Sequence, residues 1–454
     1  MMEYVNYNKL QDERDIQFVI DRFKAGTLKD GEKVTLKGVV HRIKDMSGFA
    51  FVNIRSPRIV FQCVWEADKS KIDIKDFKPE DFVILEGTVV FEERSRIGFD
   101  VRIDDMQKVG GGVEPLPIEI SNDRKVAKLQ LNTLLDNRII TLRNPRVRAI
   151  MRIADGVMYA FRTFLRQEGF TEFVPPKLVQ AGAEGGADMF EVDYFGEKAY
   201  LNQSPQMYKQ AMVAVFNRVY TVGPVFRGEK HSTNRHINEF QGLDLEMGFI
   251  DSFEDLMEIE ARLFRYMFRL LNEEYAYELD LVLGKDRRLP ELTDFPKIRF
   301  AEVKEMYAKA HNTTVTDPTD LDPDEEKWIG QHFLENYNAP IVFITHYPSK
   351  KRPFYAMDDP EDPRYTLSYD MLLYGLEVTT GGQRIHDYHM QVEKMKKRGM
   401  NIADFEDYLT MHKYGMPPHG GFGLGMERIV EKLMELENIR EATAFPRDRD
   451  RLRP

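Results

Sequence analysis

Residues 109–123 read VGGGVEPLPIEISND. Three glycines and two prolines in fifteen residues leave the backbone too free and too short of donors for a helix or a central strand. The segment is a linker or hinge, and the hydrophobic pattern changes across it. Before it, residues 31–108 hold five short runs: VTLKGVVHRI, FAFVNIR, IVFQCVW, FVILEGTVVF and FDVRIDD. They are rich in Val, Ile and Phe and are punctuated by Gly, Asp, Ser and Pro. Five strands in ~80 residues suit a small closed barrel of the OB type. Such a barrel binds nucleic acid or serves structure alone, and the pattern leaves both open. Residues 1–30 add a short polar helix, DERDIQFVIDRFKAG.

Residues 124–454 mix helix and strand. In RVRAIMRIADGVMYAFRTFLRQEG, Ile150, Ile153, Val157, Phe161 and Leu165 recur at helical spacing, and Gly169 stands where a helix-ending glycine belongs. AYLNQS, VYTVGPVFRGE and GLDLEMGFI read as strands. SFEDLMEIEARLFRYMFRLLNEEY is a long helix with Ser252 or Asp251 as its cap and a Met/Phe core face. The stretch 280–340, broken by Pro290, Pro296, Pro318 and Pro323, reads as a helical insertion. YGLEVTTGGQRI is a strand, and a glycine-rich turn then leads into the helix GLGMERIVEKLMEL. Strands and helices do not alternate regularly. The expected class is therefore α+β, a mostly antiparallel sheet with flanking helices.

A chain of 454 residues exceeds one ordinary core, so two or three domains are expected. The net charge of −11 argues against a generic coating of polyanions but leaves room for a local basic site. Cys63 is the single cysteine, which excludes an internal disulfide and a multi-cysteine zinc site and suggests a reducing, cytoplasmic home. The start MMEYVNYNKLQDERD lacks the pattern of a signal peptide. No apolar run approaches the ~20 residues of a membrane span.

Familiar nucleotide loops are absent: there is no G-x-x-x-x-G-K-[ST], no G-x-G-x-x-G opening a helix and no G-x-S-x-G. Polar density on strands is the feature that carries chemistry. VGPVFRGEKHSTNRHINEFQGLDLEMGFI holds Arg227, Glu229, His231, Arg235, His236, Glu239, Asp244 and Glu246, with Phe226 and Phe240 near the ends of its turn. A guanidinium fork can hold a phosphate and Phe240 can stack a purine; a solvated hairpin is the bland alternative. Two more segments weigh against that alternative. GLEVTTGGQRIHD places Glu377 and Arg384 around a diglycine, and GGFGLGMERIVEKL runs four glycines into Glu427 and Arg428. Together they favour an anionic ligand with cations. His386, Asp387 and His389 lack a third histidine at ligand spacing, so a metal site there is disfavoured.

At these residues a resemblance emerges. FRGEKHSTNRHINEFQGLDLEMGFID is similar to motif 2 of class II aminoacyl-tRNA synthetases, GFGLGMERIV to motif 3, and GFTEFVPPKLV, with Pro176, to motif 1. The barrel resembles that of the subgroup charging aspartate, asparagine or lysine. AEGGADMF, YLNQSPQMYKQ, GGQRIHD and the ending FPRDRDRLRP resemble the aspartyl enzymes of archaeal and eukaryotic type. The resemblance spans about residue 30 to Pro454.

Residue by residue, it implies the following. Arg227 would hold the α-phosphate of ATP, and Glu229 would meet the adenine amino group or the tRNA end. Phe240 would stack on adenine, with Arg428 on the other side reaching the γ-phosphate. His236 would assist at the outer phosphates, and Gly425 belongs to the same ATP-binding set. Glu377 and Thr380 would ligate Mg²⁺; relatives often carry Ser where Thr380 stands. Arg384 and Lys209 would grip the side-chain carboxylate of L-aspartate. Asp244, Gln206 and Ser204 would meet its amino end, and Glu184 lies in the loop closing over it. In the barrel, Phe51 would stack an anticodon base and Gln62 would hydrogen-bond another, with Glu86 a weaker contact. His41 stands where strict enzymes carry Trp and relaxed ones His, which implies charging of tRNA-Asn as well as tRNA-Asp; Ser95 and Arg96 match neither pattern. Motif 1 implies a homodimer.

Rival readings are an asparagine–tRNA ligase, a non-catalytic tRNA-binding paralogue and an amide-forming asparagine synthetase. Lys209 favours a carboxylate over an amide. The presence of Arg227, Glu377 and Arg428 speaks against a dead paralogue, and the barrel speaks against a synthetase that needs no tRNA.

Overall fold

The computed structural model describes residues 12–180, 189–230, 233–315 and 317–454. Two compact units arise, one ending at Pro145 and the other spanning Arg146–Pro454. The expected boundary lay at 109–123. The first unit takes in this segment and the residues after it, where Ile120 is buried and Asn144 Nδ2 donates to Ile120 O at 2.8 Å and to Asp123 at 2.7 Å.

In the first unit, β1 (Lys33–Asp45), β2 (Phe49–Arg55), β3 (Val60–Glu66), β4 (Phe82–Phe91) and β5 (Phe99–Gly110) form a closed barrel in the order β1-β2-β3-β5-β4. Alternation explains it. Val52, Ile54, Phe61, Cys63, Leu85, Val101 and Ile103 point inward and are buried, while their neighbours face out. The helix Ile16–Lys24 adds Ile16, Val19 and Ile20 to this core, capped by Asp15, which accepts from Gln17 N.

In the second unit, an eight-stranded sheet runs β12-β13-β14-β15-β16-β11-β10-β6. Its strands are β6 (Thr171–Glu172), β10 (Arg218–Phe226), β11 (Glu239–Gly248), β12 (Lys297–Arg299), β13 (Ile341–Thr345), β14 (Ser368–Leu373), β15 (Leu376–Arg384) and β16 (His419–Gly425). Pairing is antiparallel from β13 to β10 and parallel only at the two edges. A three-stranded sheet of β7 (Leu178–Val179), β8 (Glu191–Tyr194) and β9 (Glu197–Leu201) stands beside it in the chain. Helices Pro145–Gln167 and Glu254–Glu274 pack on the large sheet. Ile150, Ile153, Val157, Phe161 and Leu165 of the first are buried, as are Met257, Phe264, Met267 and Phe268 of the second. The second helix begins at Glu254, after Phe253, and Ser252 Oγ accepts its first N–H rather than acting as the cap residue.

Three strands depart from the sequence reading. IVFIT and SYDMLL are buried at every position, so no alternation marked them as β13 and β14. HGGFGLG, read as a turn, is the central strand β16. Its glycines answer a steric need: a Cβ on Gly421 would lie 2.2 Å from both Glu246 Oε2 and Leu245 O. The 280–340 insertion contains the helices Phe300–Ala310 and Pro323–Tyr337 and also the edge strand β12.

Under the sheet, Glu260 is fully buried and accepts from Tyr369 Oη at 2.7 Å. Burial pushes its carboxyl up to about 8, against the pull of the bond from Tyr369 and of the nearby Thr379 hydroxyl. The unfolded chain releases that proton near 4.5, so stability falls as pH rises from there to about 8. Glu260→Gln keeps an acceptor for Tyr369 and removes the titration. Its gain in urea midpoint over the wild type is therefore expected to be larger at about pH 8 than at about pH 5, by an amount worth a few kcal/mol. An equal difference at both pH values would contradict this.

Candidate functional site

β10, β11, β15 and β16 line a cavity of about 460 Å³ in the second unit. At its deep end stands the helix Gln206–Phe216. Gln206, Lys209, Gln210 and Val213 recur at helical spacing and are all buried. Polar groups on a buried face need partners, and they find them on the glycine strand and its neighbour. Lys209, 1% exposed, donates from Nζ to Asp244 Oδ1 and to Phe422 O, each at 2.9 Å, and lies 3.5 Å from Glu246 Oε2. Arg384 donates from Nε to Glu246 Oε1 and from Nη2 to Gly421 O, each at 2.9 Å.

Glu246 is thus a fully buried carboxylate between two cations. Burial works against its charge, but Arg384 and Lys209 outweigh burial and hold the carboxyl below the usual range. The pairing also makes a buried ammonium and guanidinium tenable, since an isolated charge there would be too costly. Arg384 uses two of its five donors in these bonds, which leaves a fork for a second carboxylate. Gln206 Nε2 is buried without a hydrogen-bond partner among the described residues. Ser204 sits at the start of the same helix, where its Oγ accepts from Gln206 N. Behind them His419 meets Gln210 at 3.1 Å, and burial pushes its imidazole down to about 4, so the ring is neutral near pH 7.

The other end is a field of cations. Arg227 lies over the Phe240 ring, 5.3 Å from its centroid. Asn238 Nδ2 ties the connection after β10 together by donating to Arg227 O and Glu229 O. His236 lies 3.4 Å from Glu229. Arg428, on the helix after β16, donates to Glu377 O at 2.9 Å and lies 3.7 Å from its carboxylate, with Gly425 beside it in the lining. Glu427 accepts both its bonds from Gln241 N, and burial pushes its carboxyl up to about 8.

Thr380 Oγ1 donates to Glu377 Oε1 at 2.9 Å. Asp370 pairs with Thr380 across the β14–β15 register, and burial raises its carboxyl to about 6, with Arg352 opposing and Glu377 adding to the rise. Two carboxylates repelling each other beside a hydroxyl form an oxygen-only donor set that fits a hard divalent cation. Asp370 was missed in the sequence; an Asp inside the apolar run SYDMLL was its signal. Glu246 stands in the motif 2 segment, where the sequence alone gives it no partner.

The structure therefore brings Ser204, Gln206, Lys209, Arg227, Glu229, His236, Phe240, Asp244, Glu377, Thr380, Arg384, Gly425 and Arg428 to one cavity. Glu184 and His231 lie outside the described residues.

On the barrel, register builds two outward rows. Lys44, Phe51, Val64 and Arg102 form one; Arg42, Asn53 and Gln62 form the other, with Asp100 at its end. An aromatic ring thus stands between cations, and Phe51 meets the exposed Phe49 edge-on at 5.6 Å. Gln62 reaches Asp100 at 3.4 Å. Glu86 lies on β4, which pairs with β1 and β5, and so does not join Phe51 and Gln62. His41, expected at the anticodon, falls at a bulge between Val40 and Arg42 and is buried away from the row of Phe51. It is 5% exposed, with Nδ1 3.2 Å from Arg55 Nη1, and Arg55 in turn is paired to the buried Glu80 at 2.7 Å.

Comparison with known proteins supplies the frame. Residues 130–449 match the model for tRNA synthetases class II (D, K and N), and residues 34–109 match the OB-fold nucleic acid binding domain. The chain is 39% identical to an aspartate–tRNA(Asp/Asn) ligase of Deinococcus radiodurans, covering 94% of this chain and 96% of the relative. It is 38% identical to an aspartate–tRNA(Asp) ligase of Thermococcus kodakarensis, covering 94% and 97%. Among solved structures, asparaginyl-tRNA synthetase from Pyrococcus horikoshii with asparaginyl-adenylate matches at 32% identity and TM-score 0.83, covering 94% and 97%. Aspartyl-tRNA synthetase from Entamoeba histolytica matches at 28% identity and TM-score 0.83, covering 99% and 94%. The barrel, the antiparallel sheet and the cavity lined from its motifs have one explanation: the chain belongs to the class II tRNA synthetases of the D, K and N group, a family of ligases.

Proposed function

We propose that this protein is an aspartate–tRNA ligase. One observation carries the choice of amino acid: Lys209 and Arg384, both buried, converge on the deep end of the cavity, where a carboxylate gains far more than an amide. Asp244 supports the same reading, since its second oxygen can take the α-ammonium while Oδ1 holds Lys209. A lysine substrate would meet two cations and be repelled.

The chemistry follows from the two ends of the cavity. An oxygen of the aspartate α-carboxylate attacks the α-phosphorus of ATP. The bond from that phosphorus to the β-bridging oxygen breaks, and pyrophosphate leaves. Arg227 draws charge at the α-phosphate, Phe240 stacks the adenine, and Arg428 and His236 meet the outer phosphates. Glu377 and Thr380, with Asp370, would hold Mg²⁺, which supplies countercharge to the phosphates when bound. The terminal ribose hydroxyl of the tRNA then attacks the aspartyl carbonyl, and AMP departs. No protein nucleophile is required.

The barrel serves the tRNA. Phe51 stacks an anticodon base between Lys44 and Arg102, and Gln62 bonds its neighbour. Phe51→Ala and Gln62→Ala are expected to weaken aspartylation of tRNA by ~1–3 kcal/mol each and to leave aspartate-dependent pyrophosphate exchange intact. Equal loss in both assays would make the barrel a structural support. The same assay on purified tRNA-Asp and tRNA-Asn tests breadth. Charging of both rests on the resemblance at His41 alone, since His41 is buried against Arg55 rather than set in the row of Phe51, and a preference above about a hundredfold would mark a strict enzyme.

The protein also acts as a homodimer through the segment around Pro176, where Val174 and Leu178 are exposed apolar residues. Sedimentation is expected to give about twice the 53.1 kDa chain mass. A fully active monomer would contradict this.

A further inference from the structure

The insertion between β11 and β13 reaches the phosphate end of the cavity. Glu326, in the first turn of the helix Pro323–Tyr337, pairs with Arg235 at 2.7 Å. Arg235 lines the cavity together with Arg227, His236 and Arg428. Glu326 also lies within electrostatic reach of Glu377 and Arg428.

The helix that carries Glu326 is held firmly. Asp322 caps it by accepting from Asp324 N and Glu325 N. The buried pair Lys304–Glu325, at 2.7 Å, joins it to the preceding helix. Gly330 packs so closely on the β14–β15 turn that a Cβ would lie 2.3 Å from Gly375 Cα. That turn leads straight into Glu377. A second pair, Lys351–Asp320 at 2.6 Å, joins the insertion to the segment carrying Arg352.

The connection that carries Arg235 has separate backbone anchors. Ile439 N donates to Asn234 O at 2.9 Å, Arg440 Nη1 to Thr233 O at 3.0 Å, and Asn238 N to Arg447 O at 2.7 Å. These bonds hold the main chain without Glu326. What Glu326 adds is the direction of one guanidinium. At this end of the cavity Arg227, Arg235 and Arg428 repel one another, and the Glu326 carboxylate, which burial and Glu377 raise to about 7, holds Arg235 at the site before an anion arrives.

We infer that Glu326 is a positioning residue: by holding Arg235 it preorganises the phosphate end of the cavity and makes the insertion part of the nucleotide site. The inference rests on the ATP reading above. Arg235 joins Arg428 and His236 at the outer phosphates, and Glu326 acts only through Arg235.

The test is a double-mutant cycle in aspartate-dependent ATP–pyrophosphate exchange. Glu326→Gln is expected to raise the KM for ATP about tenfold, with kcat at saturating ATP within about twofold of wild type. Glu326→Asp should recover part of the loss. Arg235→Gln should raise the same KM, and adding Glu326→Gln to it should cost no more, because the two act as one unit. Urea midpoints of all variants are measured alongside. A KM for ATP unchanged or lowered in Glu326→Gln, or effects that multiply in the double variant, would overturn the inference. So would a kcat loss that tracks a fall in stability, since that marks a merely structural pair. A wild type that neither binds ATP nor exchanges pyrophosphate would instead overturn the ATP reading itself.

Discussion

Arg384→Leu is expected to remove aspartate activation and to destabilise the catalytic unit together. Two consequences share one cause. The substitution deletes the guanidinium that would hold the aspartate side chain, and it strips Glu246 of its closest cation, at 2.9 Å. Glu246 is fully buried, and Lys209, at 3.5 Å, is left as the remaining nearby cation pair. Breaking one side of a buried pair costs ~3–5 kcal/mol of stability. Loss of the charge-assisted contact costs ~2–5 kcal/mol of aspartate recognition. Lys209→Leu should cost a similar amount of recognition, and it leaves Asp244 without its ammonium. Adding Glu246→Gln to Arg384→Leu removes the stranded carboxylate. That double variant should regain stability without regaining aspartate turnover, which separates the two effects. Urea unfolding and the aspartate dependence of pyrophosphate exchange measure them. An unchanged KM for aspartate in both single variants would end the assignment of this pocket.

Arg227→Ala and Arg428→Ala are expected to act on rate rather than on the fold. Both side chains line the cavity and neither is fully buried. In the proposed reaction each would meet charge that grows as the carboxylate closes on the α-phosphorus. Removing one such preorganised group typically lowers kcat by ~10²–10³. Arg428 has a second task. It donates to Glu377 O, and its charge helps hold the Glu377 carboxyl below the usual range against burial. Arg428→Ala should therefore also weaken the response to added Mg²⁺, and more than Arg227→Ala, whose charge acts on the same carboxyl less strongly. Single-turnover formation of aspartyl-adenylate reads the rate, and its Mg²⁺ dependence reads the second effect. A loss confined to the KM for aspartate would contradict both roles.

Parts of this architecture were written plainly in the sequence. The barrel strands bury one face, so their alternation was visible, and the helix Pro145–Gln167 shows its period openly. Lys209 and Gln206 were legible only through the resemblance of YLNQSPQMYKQ to the aspartyl enzymes, because the helix that buries them left no mark in the reading of that segment. Other parts were not. β13 and β14 are buried on both faces, which erases alternation and makes five or six apolar residues ambiguous. β16 was hidden by its glycines, which read as a turn until Glu246 and Asp244 are seen to occupy the space their side chains would need. The partners of the site cations escaped for a related reason. Glu246 and Asp370 lie on strands whose pairing alone decides which cation each meets. His41 depends on a bulge, and a one-residue irregularity turns a side chain from one face of a strand to the other.

The proposed activity is the activation of aspartate with ATP in this cavity. The most direct measurement is ATP–pyrophosphate exchange by the purified wild-type protein, with aspartate and asparagine supplied separately and Mg²⁺ present. Exchange that depends on aspartate, with kcat/KM at least about a hundredfold above that for asparagine, a difference of ~2.7 kcal/mol, is the predicted result. Exchange driven equally well or better by asparagine would contradict it.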